Sequence, residues 1–154
     1  KKGLKLVTVK TIRGPINVQN PQINSLSKLN CILACIEANK KNADEALMFD
    51  INGNIATNNS THFFFVKNKT VFTSTGKYCV TGITRQKIID ICKKNKIKVK
   101  EKNFKLNEVL NADEAFCTGS FAGIVPVNQI NKKKYSLKKN PITKELTNFY
   151  NNLF

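Results

Sequence analysis

Two short segments of this chain have the composition of an anion-binding turn. In Thr81-Gly82-Ile83-Thr84-Arg85 a glycine leads into a helical pattern. Free backbone N–H groups and the positive end of a helix dipole would meet there. In Cys117-Thr118-Gly119-Ser120 a strand pattern runs into a turn that carries two hydroxyls and a glycine. Each alone matches an ordinary cap or turn as well as it matches a phosphate site. Other chemistry is sparse, with His62 the only histidine. The cysteines, Cys31, Cys35, Cys79, Cys92 and Cys117, are odd in number and form no Cys-x-x-Cys. Cys31 and Cys35 stand at i and i+4, a spacing that suits a metal, but the shortage of further ligands favours buried free thiols and no metal site.

The elements that must carry these residues can be read from periodicity. Alternation over 4–12 predicts a strand, broken by Arg13-Gly14-Pro15, with a loop running to Asn24. Leu26, Leu29, Ile32, Leu33 and Ile36 have helical spacing, so 26–39 is predicted as a helix with that face on the core. A strand over 46–50 and a tight turn at Asn52-Gly53 follow. Further strands are predicted over 61–66, 71–73, 97–104, 114–117 and 123–130. Helices are predicted over 84–95, over 106–110 as a single turn, and from Pro141, a good first helical residue, to 152. Residues 132–139 read as a hairpin tip and loop. With no repeat or low-complexity linker, the pattern is one α/β domain.

The chain has 154 residues and a formal charge of +16. Of its 26 basic residues only Arg13 and Arg85 are arginine, and asparagine is abundant. A Lys-plus-Asn bias of this kind is what an AT-rich coding sequence produces. Nucleic-acid sites favour the planar arginine fork beside aromatics, so no nucleic-acid partner is expected. No apolar run approaches the roughly 20 residues of a membrane span, and no membrane partner is expected. Lys1-Lys2-Gly3-Leu4 opens directly into a strand pattern, so no secretory leader is expected and the location implied is cytoplasmic.

Taken together the motifs are more specific than any one of them. Glu45-Ala46-Leu47-Met48-Phe49-Asp50, Gly53, the Phe-rich strand, Gly82-Ile83-Thr84-Arg85, Ala112-Asp113-Glu114-Ala115-Phe116, Thr118-Gly119-Ser120 and Pro126-Val127 keep a characteristic order and spacing. This resembles the class IV aminotransferases, pyridoxal 5'-phosphate (PLP) enzymes of fold type IV. That family includes branched-chain and D-amino-acid aminotransferases and aminodeoxychorismate lyase. The resemblance runs from Leu4 to the last helix and corresponds to the family's larger, C-terminal domain. It implies a mixed sheet or pseudo-barrel with flanking helices, PLP as cofactor, an amino acid and a 2-oxo acid as substrates, and a homodimer. The family's smaller N-terminal domain, which also gives an arginine to the phosphate, is not expected within 1–154.

Residue by residue, the resemblance implies an intact phosphate cup and altered chemistry. Ile83 and Thr84 match the family's phosphate-binding Ile-Thr, Gly119 allows close backbone approach, and Ser120 stands for the usual threonine. The family's Lys-Ser-Leu-Asn is here Asn24-Ser25-Leu26-Ser27. An amide cannot supply the amine that joins the cofactor and shuttles the proton. Thr57 stands where a glutamate keeps the pyridine nitrogen protonated, His62 stands for an asparagine, and Gly123 for a second glutamate. Lys28 is a weak substitute amine and Lys77 a weaker one. Four residues of helix rise about 6 Å, so Lys28 is expected to be a solvated helix lysine. The reading is an impaired PLP-dependent aminotransferase-like protein. The alternative is a non-catalytic, degenerate domain that binds PLP or another phosphate ligand.

Overall fold

The computed structural model describes residues 2–153. The chain runs β1 (Leu4–Thr8), α1 (Leu29–Lys40), β2 (Glu45–Phe49), β3 (Ile55–Asn58), β4 (His62–Lys67) and β5 (Thr70–Thr73). It continues α2 (Ile83–Lys94), β6 (Val99–Glu101), α3 (Leu106–Leu110), β7 (Glu114–Gly119), β8 (Gly123–Ile130), β9 (Lys133–Lys134) and α4 (Pro141–Asn151). The strands form one mixed sheet ordered β3-β2-β1-β8-β7-β4-β5-β6, with β9 added to β8. β1 pairs parallel to both β2 and β8, and β5 parallel to β6. The remaining pairs are antiparallel. The two ends of the sheet curl toward each other: Ile55 N donates to Phe104 O at 2.9 Å, and Ser74 Oγ to Ala56 O at 2.6 Å. The α/β half-barrel with flanking helices is therefore as expected.

The curl encloses one core and leaves two more outside it. Leu6, Leu47, Ile55, Phe63, Phe65, Phe104, Val127 and Ile130 meet inside, closed at one end by Val109 of α3. Successive residues of a strand point to opposite faces, so Phe64 and Phe116 point outward. Their rings stack at 5.0 Å, and they pack with Ile88, Ile89 and Cys92 of α2 and Leu146 of α4. Burial on both faces explains the uninterrupted run Phe63-Phe64-Phe65-Val66.

Helix α1 departs from its sequence reading. It starts at Leu29, not Leu26, and meets β1 and β2 through Ala34 and Ala38, which pack with Val9, Ala43, Ala46 and Met48. The predicted core face (Leu29, Ile32, Leu33, Ile36) is exposed, and Leu26 lies wholly in solvent. Small alanines let the helix backbone approach the sheet closely, and the branched residues are left on its far side. Strand β3, which carries Thr57, has no counterpart among the predicted elements. The predicted strand 4–12 ends at Thr8, and the one over 97–104 narrows to Val99–Glu101. No helix among the described residues is long and apolar enough to cross a membrane.

Candidate functional site

The two segments read as anion-binding turns meet where α2 begins beside the β7–β8 turn. Gly82 caps α2 with extended backbone (φ −74°, ψ 135°) and no side chain bonds into the first turn. Gln86 N already takes Gly82 O at 3.0 Å, while the N–H groups of the first turn have no helical acceptor. Ile83 is the first helical residue and is exposed, whereas Thr84 is buried. Thr84 Oγ1 lies 3.5 Å from Ser120 Oγ, so the two predicted hydroxyls converge across the two segments. Thr118 Oγ1 is fully buried and has no hydrogen-bond partner among the described residues. Gly119 pairs with Gly123 at the end of the β7–β8 ladder. Backbone donors, two hydroxyls and an unsatisfied buried hydroxyl on the adjacent strand fit a phosphate group.

His62 holds this corner together. On β4 it pairs in register with Thr118. Its Nε2 donates to Val80 O at 2.7 Å, which fixes the tautomer, and its ring lies against Gly82. A Cβ at residue 82 would stand 2.8 Å from His62 Nδ1 and closer still to Cε1. A side chain at residue 82 would therefore force the His62 ring to move. Burial pushes the imidazole below its ordinary range, the Val80 bond opposes this, and the Arg85 cation adds to it. Arg85 is itself buried and bonds Ser74 O at 2.6 Å and Glu101 Oε2 at 2.7 Å.

Thr57 is buried on β3, and its hydroxyl donates to Thr61 O at 3.0 Å. Its proton is committed, so toward any ligand it can only accept, and it carries no charge. The Asn24 loop is tied to the segment that leads into Gly82. Arg13, almost fully buried, donates from Nε to Tyr78 O at 3.0 Å, from Nη1 to Asn30 Oδ1 at 3.0 Å and Cys31 Sγ at 3.1 Å, and from Nη2 to Pro21 O at 3.4 Å. Gln22 Nε2 reaches Gly76 O at 3.4 Å. Lys28 is exposed, as expected, but it is corrected from a helix residue to a cap. Because α1 begins only at Leu29, Lys28 is its cap, and Nζ donates to Asn24 Oδ1 at 2.6 Å. No ion pair among the described residues involves Lys28. Lys77 sits 5.5 Å from the Tyr78 ring centroid.

Sequence reasoning passed over both arginines. A signal was available: in a chain that uses lysine almost everywhere, Arg13 and Arg85 are the only two forks, and both are buried among carbonyls. The cysteines are unpaired, and among the described residues no cluster of ligands could hold a metal.

The comparisons with known proteins agree with this geometry. A family model described as amino-transferase class IV matches residues 1–130. Branched-chain-amino-acid aminotransferase-like protein 2 of Arabidopsis thaliana is 36% identical over 152 residues, 98% of this chain and 27% of its own length. The branched-chain aminotransferase of the archaeon Thermoproteus uzoniensis, solved with norvaline, superposes with a TM-score of 0.93 at 27% identity. That match covers 98% of this chain and 51% of the archaeal one. A Brucella abortus aminotransferase bound to the co-factor PLP gives 0.93 at 27% identity, covering 99% of this chain and 54% of that one. The chain thus spans about half the length of these two solved relatives.

Proposed function

The chain belongs to the amino-transferase class IV family, and from that premise we propose that it is a PLP-binding, aminotransferase-like protein whose amino-group transfer is impaired. Its residues correspond to the family's larger domain. The substrates proposed are an amino acid and a 2-oxo acid, of the branched-chain or D-amino-acid type found among its relatives. The observation that carries this reading is the contrast within one site. The α2 N-terminus with Thr84 and Ser120 suits a phosphate, yet by resemblance an uncharged amide, Asn24, stands at the position of the family's amine.

Bound PLP supplies an aldehyde that condenses with amines and a ring that accepts electron density from the neighbouring carbon. Ile83 and Thr84 would hold its phosphate by backbone N–H and hydroxyl, Ser120 by a second hydroxyl, and Gly119 by leaving room for the approach. Thr57 would face the ring nitrogen without a negative charge, so it would not hold a proton there as a glutamate does. Asn24 has no basic nitrogen and moves no proton. The same two losses, at Asn24 and Thr57, support a second reading in which the domain binds PLP or another phosphate ligand and catalyses nothing. The exposed apolar face of α1, with Leu29, Ile32, Leu33 and Ile36, supports a homodimer in either case.

Equilibrium binding tests the cup. PLP and inorganic sulfate should compete for one site. Removing both hydroxyl donors, Thr84→Val with Ser120→Ala, should weaken PLP by about tenfold or more, since a hydrogen bond to a charged group contributes roughly 1.5–3 kcal/mol. Binding unaffected by sulfate and by both substitutions would remove the cup from the account. Transamination by the wild type at the rate of a complete enzyme would remove the impairment.

A further inference from the structure

We propose that Lys28 is a displaced aldehyde-capturing amine, positioned by Asn24, that serves the same site in place of a lysine at residue 24. The inference rests on the PLP-binding reading above and adds an anchor that no residue at position 24 provides.

The argument is one of reach. An asparagine side chain ends two atoms short of a lysine's. Lys28 Nζ is hydrogen-bonded to Asn24 Oδ1 at 2.6 Å. That separation is about the span of two single bonds of roughly 1.5 Å each, opened at a tetrahedral angle. The asparagine and the bonded ammonium together extend from residue 24 about as far as one lysine would. The amine therefore stands at the end of residue 24 although it is covalently attached four residues on. This works because the chain from 24 to 28 is not helical. α1 starts at Leu29, and Lys28 N turns back onto Leu26 O at 2.8 Å.

Asn24 and Lys28 are both exposed, and two further observations describe their surroundings. The loop that carries Asn24 is bonded to Tyr78 O through Arg13 and to Gly76 O through Gln22, so it is tied to the strip that ends at Gly82. Among the described residues Lys28 also has no carboxylate partner. Its acceptor on Asn24 is a neutral amide, which holds the nitrogen in place without pairing its charge. The step balances without any oxidant or reductant. The deprotonated Nζ attacks the aldehyde carbon, a C=N bond forms, and the aldehyde oxygen leaves as one water. Asn24 then acts as a positioning residue, since its oxygen can hold the amine but cannot take its place.

Borohydride trapping tests this with a readout independent of turnover. Wild-type protein is mixed with equimolar PLP, reduced, digested and mapped for phosphopyridoxyl-lysine. An amine held at a bound aldehyde has an effective concentration near millimolar, so at micromolar PLP its labelling should exceed that of any other lysine on the order of a hundredfold. Excess pyridoxamine phosphate, which has no aldehyde, should suppress the Lys28 label. Lys28→Arg should abolish that label in a protein that still binds pyridoxamine phosphate. Asn24→Leu should lower the selectivity for Lys28. Label spread over surface lysines, or concentrated on another lysine, while pyridoxamine phosphate still binds, would overturn the assignment of Lys28 alone. Failure of pyridoxamine phosphate to bind would overturn the cofactor reading, and the inference with it.

Discussion

Gly82→Ala is the most exacting substitution at the cup. The backbone at residue 82 (φ −74°, ψ 135°) is open to alanine, so no conformational penalty applies. By itself a glycine-to-alanine change at a compatible site would be neutral or stabilising by up to about 1 kcal/mol. The cost comes from the ring. The new methyl would lie 2.8 Å from His62 Nδ1 and 3.1 Å from Nε2. His62 cannot swing away freely, because Nε2 is bonded to Val80 O at 2.7 Å on the segment that leads into the same turn. Moving the ring gives up that bond, about 1 kcal/mol, and overpacking adds roughly 1–3 kcal/mol. Net destabilisation of about 1–3 kcal/mol is expected, read from the urea midpoint at constant m-value. A double-mutant cycle isolates the cause. With His62→Ala the clash disappears, so Gly82→Ala should then cost nothing, a coupling of about 1–3 kcal/mol. Additive costs, or a Gly82→Ala protein within about 0.5 kcal/mol of the wild type, would refute the contact.

Glu114 accepts from Ile142 N at 3.1 Å and from Thr143 N and Oγ1 at 2.7 Å each, so it binds the start of α4 to β7. Glu114→Ala should cost about 2–4 kcal/mol by urea denaturation, as the loss of charged hydrogen bonds in a buried place implies. Glu37 accepts from Thr11 Oγ1, Lys10 N and Thr11 N; the Thr11 hydroxyl bond is the main cause that holds its carboxyl below the ordinary value of 4.5. A carboxyl depressed by folding contributes stability above its unfolded value and loses it on acidification. The stability gap between wild type and Glu37→Gln should therefore be full near pH 7 and close as pH falls below 4.5, in acid titrations monitored by circular dichroism. Burial pushes the thiols of Cys79, Cys92 and Cys117 up, that of Cys92 to about 12, while Cys31 and Cys35 are half-exposed. Iodoacetamide near pH 8 should label Cys31 and Cys35 in the native protein and the other three only after unfolding, as mass spectrometry would read directly.

The site was legible in the sequence where local chemistry and position coincide. Gly82, Thr84 and Ser120 lie at the ends of elements, where residue type states the role, and the structure brings Thr84 and Ser120 together. What was not legible depends on which surface a neighbour covers. The period of α1 shows an apolar face, but periodicity is silent on whether that face or the alanine face meets the sheet. Ala34 and Ala38 meet it, because small residues permit the closer approach. β3 was missed because Ile55-Ala56-Thr57-Asn58 is four residues long and ends in polar ones. Its pairing with β2 is a local hairpin and its bond to Thr61 a short turn, while its bond to Phe104 comes from the curl of the sheet. Lys28 was assigned to a helix that starts later, and that shift of a few residues returned its amine to Asn24.

The central claim is that the cup is assembled and residue 24 lacks the amine that should complete it. Asn24→Lys followed by PLP addition, borohydride reduction and peptide mapping measures this most directly. The account predicts that the phosphopyridoxyl label moves from Lys28 to position 24 and that excess sulfate suppresses it there. A labelling map unchanged from the wild type, or label at position 24 that sulfate does not suppress, would contradict it.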